Sequence, residues 1–378
     1  MSSGRSGSAR WEVELRADAL THHSWQVFAG LSALRSRGEV DLHLVVADRG
    51  GLPLEDVVPW ALVRDRETRG EWNVCFDLAD GKWLTGPRPR IADVTFKRSY
   101  DPDPDPPVGT IHGRVRPFGL NYACRTGHEG RMIRYSFESL RTAPRRGRTN
   151  RSSSWRLQRL AWPLKQPLQL ARARRRPDRV WSGVPRHVSQ FEVAPGVPAE
   201  PVVLFHTRAW AEKVDGVADH HTGPNLQRAE LIRTLQRRLG PRFRGGFAPT
   251  PYARTHFADC LSDQPTEPVA YMQAVQRCAI AVSTIGLQRS TPYKLPENLS
   301  ASRAIVSDPL HFGLPAPLVP GTHLVTFDDP EGCADACEGL LDDPSLLAHL
   351  REQAWDYYQR EVRPDVLMRN RLLDLTGA

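Results

Sequence analysis

Three short apolar runs in the second half of the chain constrain its fold more than anything else: Val202 to His206, Cys278 to Ser283 and Ala304 to Ser307. None carries a formal charge, and none alternates apolar with polar residues. Runs of this kind suit strands buried on both faces, as in a parallel sheet covered by helices. Helical patterns separate them. Leu226 to Leu239 is closed by Gly240-Pro241, a residue pair that ends helices, and Val269 to Arg277 reads as a second helix. Phe243 to Phe247 and His323 to Phe327 read as further strands. A helix then carries Cys333, Cys337, Leu340 and Leu341 on one side. Asp343-Pro344 opens a long helix that aligns Leu346, Leu347, Leu350, Ala354 and Tyr358, and Asp365 to Leu375 forms a last one. Strands alternating with helices over this length imply an α/β, Rossmann-like half.

The first half alternates in the same way. Trp11 to Leu15 is a strand. Ser24 is placed to cap a helix with Val27, Phe28, Leu31 and Leu34 on one face, ending at Gly38. Val40 to Ala47, Trp72 to Leu78 and Ala92 to Phe96 are three more strands. The run Asp101-Pro-Asp-Pro-Asp-Pro-Pro107 is a stiff loop, because proline removes backbone donors and restricts its neighbours. At 378 residues the chain has room for two cores. The expected organisation is a Rossmann-like domain over 1–140, a basic insertion or linker over 141–200, and a second Rossmann-like domain over 201–378.

Charge is concentrated in one place. The net +8 hides thirteen Lys and Arg against a single acid, Asp178, between Arg141 and Arg179, so the rest of the chain is net negative. Overall basicity is therefore no argument for nucleic-acid binding, and none is expected. The six cysteines form no Cys-x-x-Cys pair and have no closely spaced histidine, so they read as buried small hydrophobes and no metal site is expected. No stretch approaches the roughly 20 apolar residues that span a bilayer. The Ser/Gly/Arg-rich start, Met1 to Arg10, lacks the apolar run of a secretory signal, so the expected location is cytoplasmic.

From Val202 onward the chain resembles the C-terminal domain of GT-B glycosyltransferases of the group 1 type found in bacterial surface-polysaccharide assembly. Three stretches carry the resemblance: Phe205-His-Thr-Arg-Ala-Trp-Ala-Glu-Lys213, Ser283 to Val306 (within it Ser290-Thr-Pro-Tyr-Lys-Leu-Pro-Glu297), and Leu324-Val-Thr-Phe-Asp-Asp followed by a helix and the turn ending at Pro344. In the first half, Phe76 to Gly81, Phe96 to Tyr100 and Pro117 to Tyr122 resemble a bacterial subgroup more loosely. The resemblance implies a GT-B fold, with two Rossmann-like domains facing across a cleft. It also implies metal-independent transfer of a sugar, hexosyltransferase-type, from a nucleotide-sugar co-substrate, with no further cofactor. On that reading Arg208 and Lys213 neutralise the donor diphosphate, and Gly286, Arg289 and Lys294 complete the donor loop. Glu297 holds the ribose. Many retaining members carry another Glu where this chain has Arg289, so the stereochemical outcome does not follow.

The chemistry fits these residue types. Breaking the anomeric bond builds negative charge on the leaving diphosphate, which fixed cations stabilise. Arginine offers a planar multidentate contact and lysine a point charge. The helix start after Ser290 also favours phosphate. On the acceptor side a base must take the hydroxyl proton. Asp80 is the first candidate, with Asp77 and His112 behind it. His23, beside His22 in the first strand-to-helix loop, and Lys97 and Arg98 are candidates for contacting the acceptor, a glycan or lipid-linked molecule. The basic segment 141–179 is open to three readings: a solvated linker, a nucleic-acid contact, or a patch on an anionic membrane surface that makes the protein peripheral, with Trp155, Leu160 and Trp162 as apolar contacts. Two other functions stay open: a non-catalytic GT-B relative that binds without turnover, and a basic nucleic-acid-binding protein.

Overall fold

The computed structural model describes residues 9–17, 22–46, 58–102, 113–133, 168, 169, 171, 172, 175, 184–211 and 222–377. His112, Lys213, most of the basic segment 141–179, and residues 103–107 of the Asp-Pro loop lie outside them. The chain forms two compact units, 1–188 with 363–378, and 189–362. Both are α/β, as the alternation implies.

The first unit is built on a six-stranded sheet in the order β2-β1-β3-β4-β5-β6. Its strands are β1 (Trp11–Ala17), β2 (Val40–Val46), β3 (Trp60–Asp65), β4 (Glu71–Asp77), β5 (Val94–Lys97) and β6 (Arg114–Pro117). β1 pairs parallel with β2, and β4, β5 and β6 are mutually parallel; β3 runs antiparallel between β1 and β4. The sequence reading had neither β3 nor β6. β3 alternates buried and half-buried residues and carries Arg64 on its outer face, so it lacks the continuous apolar run of its neighbours. β6 is an edge strand of only four residues, two of them arginine. Helix α1 (Trp25–Ser36) packs Val27, Phe28, Leu31 and Leu34 into the core, each fully or almost fully buried. Burying a side chain of that size stabilises by about 1.5–3 kcal/mol. Ser24 precedes this helix, but its side chain makes no capping hydrogen bond. Gly38 follows it with φ +77°, a left-handed conformation open to glycine.

The chain's last helix, Pro364–Thr376, also belongs to this unit. Leu367, Met368, Leu372 and Leu375 join its core, and Pro364 O lies where a Cβ on Gly30 would fall, 2.2 Å away, so α1 and the last helix touch through a glycine. The expected boundary put this helix with the C-terminal half. Its apolar face shows that it is buried and says nothing of the partner. The short strands β7 (Cys124–Arg125) and β8 (Arg186–His187) pair in the same unit, so residues 186–188 belong here and not to a linker.

The second unit holds a five-stranded, all-parallel sheet in the order β10-β9-β11-β12-β13. Its strands are β9 (Glu200–Thr207), β10 (Phe243–Phe247), β11 (Cys278–Ser283), β12 (Ala304–Ser307) and β13 (Val325–Thr326). Its helices include α3 (Thr222–Leu239), α5 (Pro268–Arg277), α6 (Lys294–Ser300), α7 (Pro330–Asp342) and α8 (Pro344–Tyr357), with α2 (Arg88–Ile91) in the first unit and a one-turn α4 (Pro251–His256) here. β11 and β12 are buried at every residue, which explains their unbroken apolar runs. Residues 189–199 dock on this unit: Val193 N donates to Ser300 O (3.1 Å) and Tyr358 Oη to Glu192 Oε1 (3.0 Å). All six cysteines are buried and unbridged. Among the described residues no helix is long and apolar enough to cross a membrane.

Candidate functional site

In the second unit β9 lies between β10 and β11, so the chain leaves the sheet centre in opposite directions on either side of β9. In open parallel sheets that switch point opens a crevice at the carboxyl ends of the strands, where ligands bind. The residues there are Thr207 at the end of β9 and Arg208 after it, Ser283 at the end of β11 and Thr284 to Gly286 after it, and Asp308 after β12.

Arg208 is exposed at the tip of β9. Behind it sits Arg228 of α3, 4% exposed. Its Nε donates to Thr284 Oγ1 (3.0 Å), Nη2 to Ile285 O (3.0 Å) and Nη1 to Arg208 O (3.3 Å), and its guanidinium lies 3.9 Å over the Trp210 ring. One turn earlier on α3, Asn225 grips the same loop: Trp210 N donates to its Oδ1 (3.0 Å) and its Nδ2 to Trp210 O (2.8 Å). Burial pulls Arg228 down to about 9, with Asp308 opposing and Arg208 adding, so it stays charged at neutral pH. Asp308 accepts the Ile285 N–H at 3.0 and 3.1 Å; burial lifts it to about 6 against that bond and the Arg228 charge.

Lys294 opens α6, and its Nζ is 4.9 Å from the Tyr271 ring centroid. Burial brings it down to about 7, helped by Arg228 and Arg208, while Glu297, one turn on, pulls upward. Arg208, Arg228, Lys294 and Glu297 therefore share one electrostatic environment. His206, next to Tyr271 (ring centroids 5.8 Å apart), is held down to about 4 by burial and by Lys294, and its Nδ1 lies 3.2 Å from Ser262 Oγ. Ser283 Oγ, at the end of β11, is buried without a hydrogen-bond partner.

The loop between β11 and α6 is tightly formed. Gly286 N donates to Ser290 O (2.7 Å), and a Cβ on Gly286 would fall 2.6 Å from Ser290 Oγ. Gln288 and Arg289 are both left-handed, at φ 56° and 60°, a conformation that costs a non-glycine residue roughly 1 kcal/mol or more. Arg289 is exposed on this strained turn.

The first unit gathers a second cluster, also at strand carboxyl ends. Asp77, fully buried, accepts from Lys97 Nζ (3.1 Å), Thr85 N (2.7 Å), Thr85 Oγ1 (3.0 Å) and Ala79 N (3.3 Å). Its lone pairs are committed to the loop after β4, so it holds that loop in place. Asp80 pairs with Arg98 and keeps a side chain 46% exposed. Of the two acids, only Asp80 presents a carboxylate that a dissolved hydroxyl can reach. His23 lies close enough that Arg98 and Asp80 both act on it; burial, the larger effect, takes it to about 4. Burial also lowers His22. Asn121 Nδ2 donates to His23 O (3.1 Å), tying in the loop after β6. Burial lowers Lys97 as well, against Asp77. The two ion pairs, Asp77–Lys97 and Asp80–Arg98, leave this cluster charge-balanced, and the cations of the second unit exceed their acids.

Sequence reasoning named Arg208, Lys213, Gly286, Arg289, Lys294 and Glu297 for the donor and His23, Asp77, Asp80, Lys97, Arg98 and His112 for the acceptor side, of which Lys213 and His112 lie outside the described residues. It missed Arg228, Asp308 and Tyr271. Asp308 could have been found as an acid directly after a buried strand. Arg228 sits among Ala229, Leu231 and Ile232 on a helix, where nothing distinguishes it from a surface arginine.

No protein-family model matches the chain, and no curated protein does. Several solved structures are similar to it. HepE of Anabaena, solved with UDP, is 11% identical over 50% of this chain and 55% of its own, with a TM-score of 0.35. The C-terminal domain of the glycosyl transferase group 1 family protein LpcC from Francisella tularensis is 13% identical over 46% of this chain and 96% of its own, at 0.32. TarM is 10% identical over 85% and 64%, at 0.36. The chain thus spans about half the length of HepE. At such identities and TM-scores, the fold assignment rests on strand order and the site on its own geometry.

Proposed function

We propose that the chain is a glycosyltransferase that moves a sugar from a nucleotide donor, held in the second unit, to a glycan or lipid-linked acceptor. The observation that carries this is the gathering of Arg208, Arg228 and Glu297 about Lys294 at the switch point of a parallel sheet. Arg208, Arg228 and a half-protonated Lys294 against Glu297 and a largely ionised Asp308 still leave positive charge in a partly buried place, where it stabilises a departing diphosphate without a metal ion. Glu297 accepts hydrogen bonds from a ribose. Asp80 is the base for the acceptor, and His23 and Arg98 line its approach. The sequence resemblance to GT-B glycosyltransferases supports the same assignment and suggests work in bacterial surface-polysaccharide assembly. The basic segment 141–179, with Trp155, Leu160 and Trp162, would then hold a cytoplasmic enzyme at an anionic membrane. Flotation with anionic vesicles, abolished by deleting 141–179, tests that part; equal flotation of the deletion variant overturns it.

The donor assignment is tested by titrating UDP, GDP, ADP and CMP into wild type and Glu297→Ala. One nucleotide binds the wild type, and the variant loses about ten- to hundredfold in affinity, the worth of one or two charge-assisted hydrogen bonds. Failure of all four to bind the wild type ends the proposal. Because Arg289 stands where many retaining relatives carry an acid, donor hydrolysis is measured alongside. Binding without any turnover, even with acceptor extract, assigns the chain to nucleotide recognition alone.

A further inference from the structure

We infer that Arg228 is a positioning residue that locks the two donor loops together before any ligand arrives; this rests on the donor reading above. The guanidinium is enclosed by protein and spends its hydrogen bonds on three groups in two loops: Arg208 O after β9, and Thr284 Oγ1 and Ile285 O after β11. Its flat face covers Trp210 (3.9 Å), two residues beyond Arg208. Asn225, on the same helix, fixes both the N–H and the C=O of Trp210, and Asp308 fixes the Ile285 N–H. The loop carrying Arg208 and the loop leading to Gly286 and Arg289 are thereby tied to one rigid helix.

A planar fork is needed for this. The three acceptors lie in different directions from the guanidinium, and a lysine ammonium cannot reach all three while also lying flat on an indole. Holding cationic ligands in place beforehand removes the ordering that binding would otherwise require. Arg303 makes an instructive contrast. It is fully buried and donates to Ala301 O (2.6 Å) and Gln276 O (3.2 Å), which ties strand starts together at the opposite end of the sheet, away from the switch point. Arg228 uses the same device at the end where the ligand side chains emerge.

The test follows amide hydrogen exchange at residues 208–211 and 284–290 in wild type, Arg228→Gln, Arg228→Lys and Thr284→Val, with UDP, GDP and ADP titrations beside it. Both stretches are expected to exchange about tenfold faster or more in the two Arg228 variants, while α3 and β10 keep their protection. Thr284→Val, which removes one acceptor at nearly constant volume, gives a smaller change in the same two stretches, and it decides the matter alone if Arg228→Gln does not fold. Wild-type protection of either stretch in Arg228→Gln, or full rescue by Arg228→Lys, overturns the clamp. Where a nucleotide binds, Arg228→Gln weakens it about tenfold, and Arg208→Ala costs less in that background than in wild type. Strict additivity also overturns it. If no nucleotide binds the wild type, the donor reading fails and the exchange data still decide the clamp.

Discussion

At the scale of single residues, the second unit concentrates cations that oppose one another. Lys294 has given up much of its basicity to burial and to two arginines, which leaves it near 7. A bound diphosphate favours the charged form, so nucleotide affinity is expected to fall as pH rises through about 7, and calorimetry in buffers of different ionisation enthalpy should detect proton uptake there. The stability sign is opposite to that of a paired lysine. With the folded value below the unfolded 10.5, the unfolded chain binds more protons between about 7 and 10.5, so the apo protein gains stability as pH rises across that window. Lys294→Met removes this dependence, raises the apo melting temperature at pH 6 and loses nucleotide affinity. A pH-independent affinity in wild type contradicts the assignment. Arg208, Lys294 and Glu297 were legible in the sequence because each follows a recognisable strand end or opens a helix. Arg228 was not, because its role comes from three carbonyl and hydroxyl partners brought together only by folding.

Elements explain why those side chains stay where they are. The turn over 286–290 has a glycine whose Cβ would collide with Ser290 and two consecutive left-handed residues. Gln288→Gly should relieve strain and stabilise by about 0.5–1 kcal/mol in denaturant unfolding, whereas Gly286→Ala destabilises. If Gln288→Gly destabilises, the turn is not strained as described. In the first unit the loop after β4 hangs on the buried Asp77–Lys97 pair. Lys97→Met leaves Asp77 buried without its partner and should cost about 3–5 kcal/mol, several times the effect of Arg64→Met in the exposed ion pairs on β3. Strands buried on both faces were read correctly from their unbroken apolar runs. β3 and β6 escaped, since one alternates with charged residues and the other is an arginine-bearing edge.

At the scale of the whole chain, two α/β units share one polypeptide that begins in the first, builds the second, and returns for its last helix. Periodicity in Asp365 to Leu375 announced a buried helix but could not name its partner, because an apolar face fits any core of matching shape. Met368, fully buried against α1 at Gly30, is the sharpest probe of that return. Met368→Ala should destabilise the first unit by about 2–5 kcal/mol and leave nucleotide affinity in the second unchanged. A loss of affinity instead would contradict the independence of the donor site from that helix. The most direct measurement is a crystal structure of the protein with the nucleoside diphosphate that binds it best. The account predicts phosphate oxygens within hydrogen-bonding distance of Arg208 and Lys294, ribose hydroxyls on Glu297, and Arg228 behind them without ligand contact. Density for the nucleotide anywhere other than the carboxyl ends of β9 and β11 would contradict it.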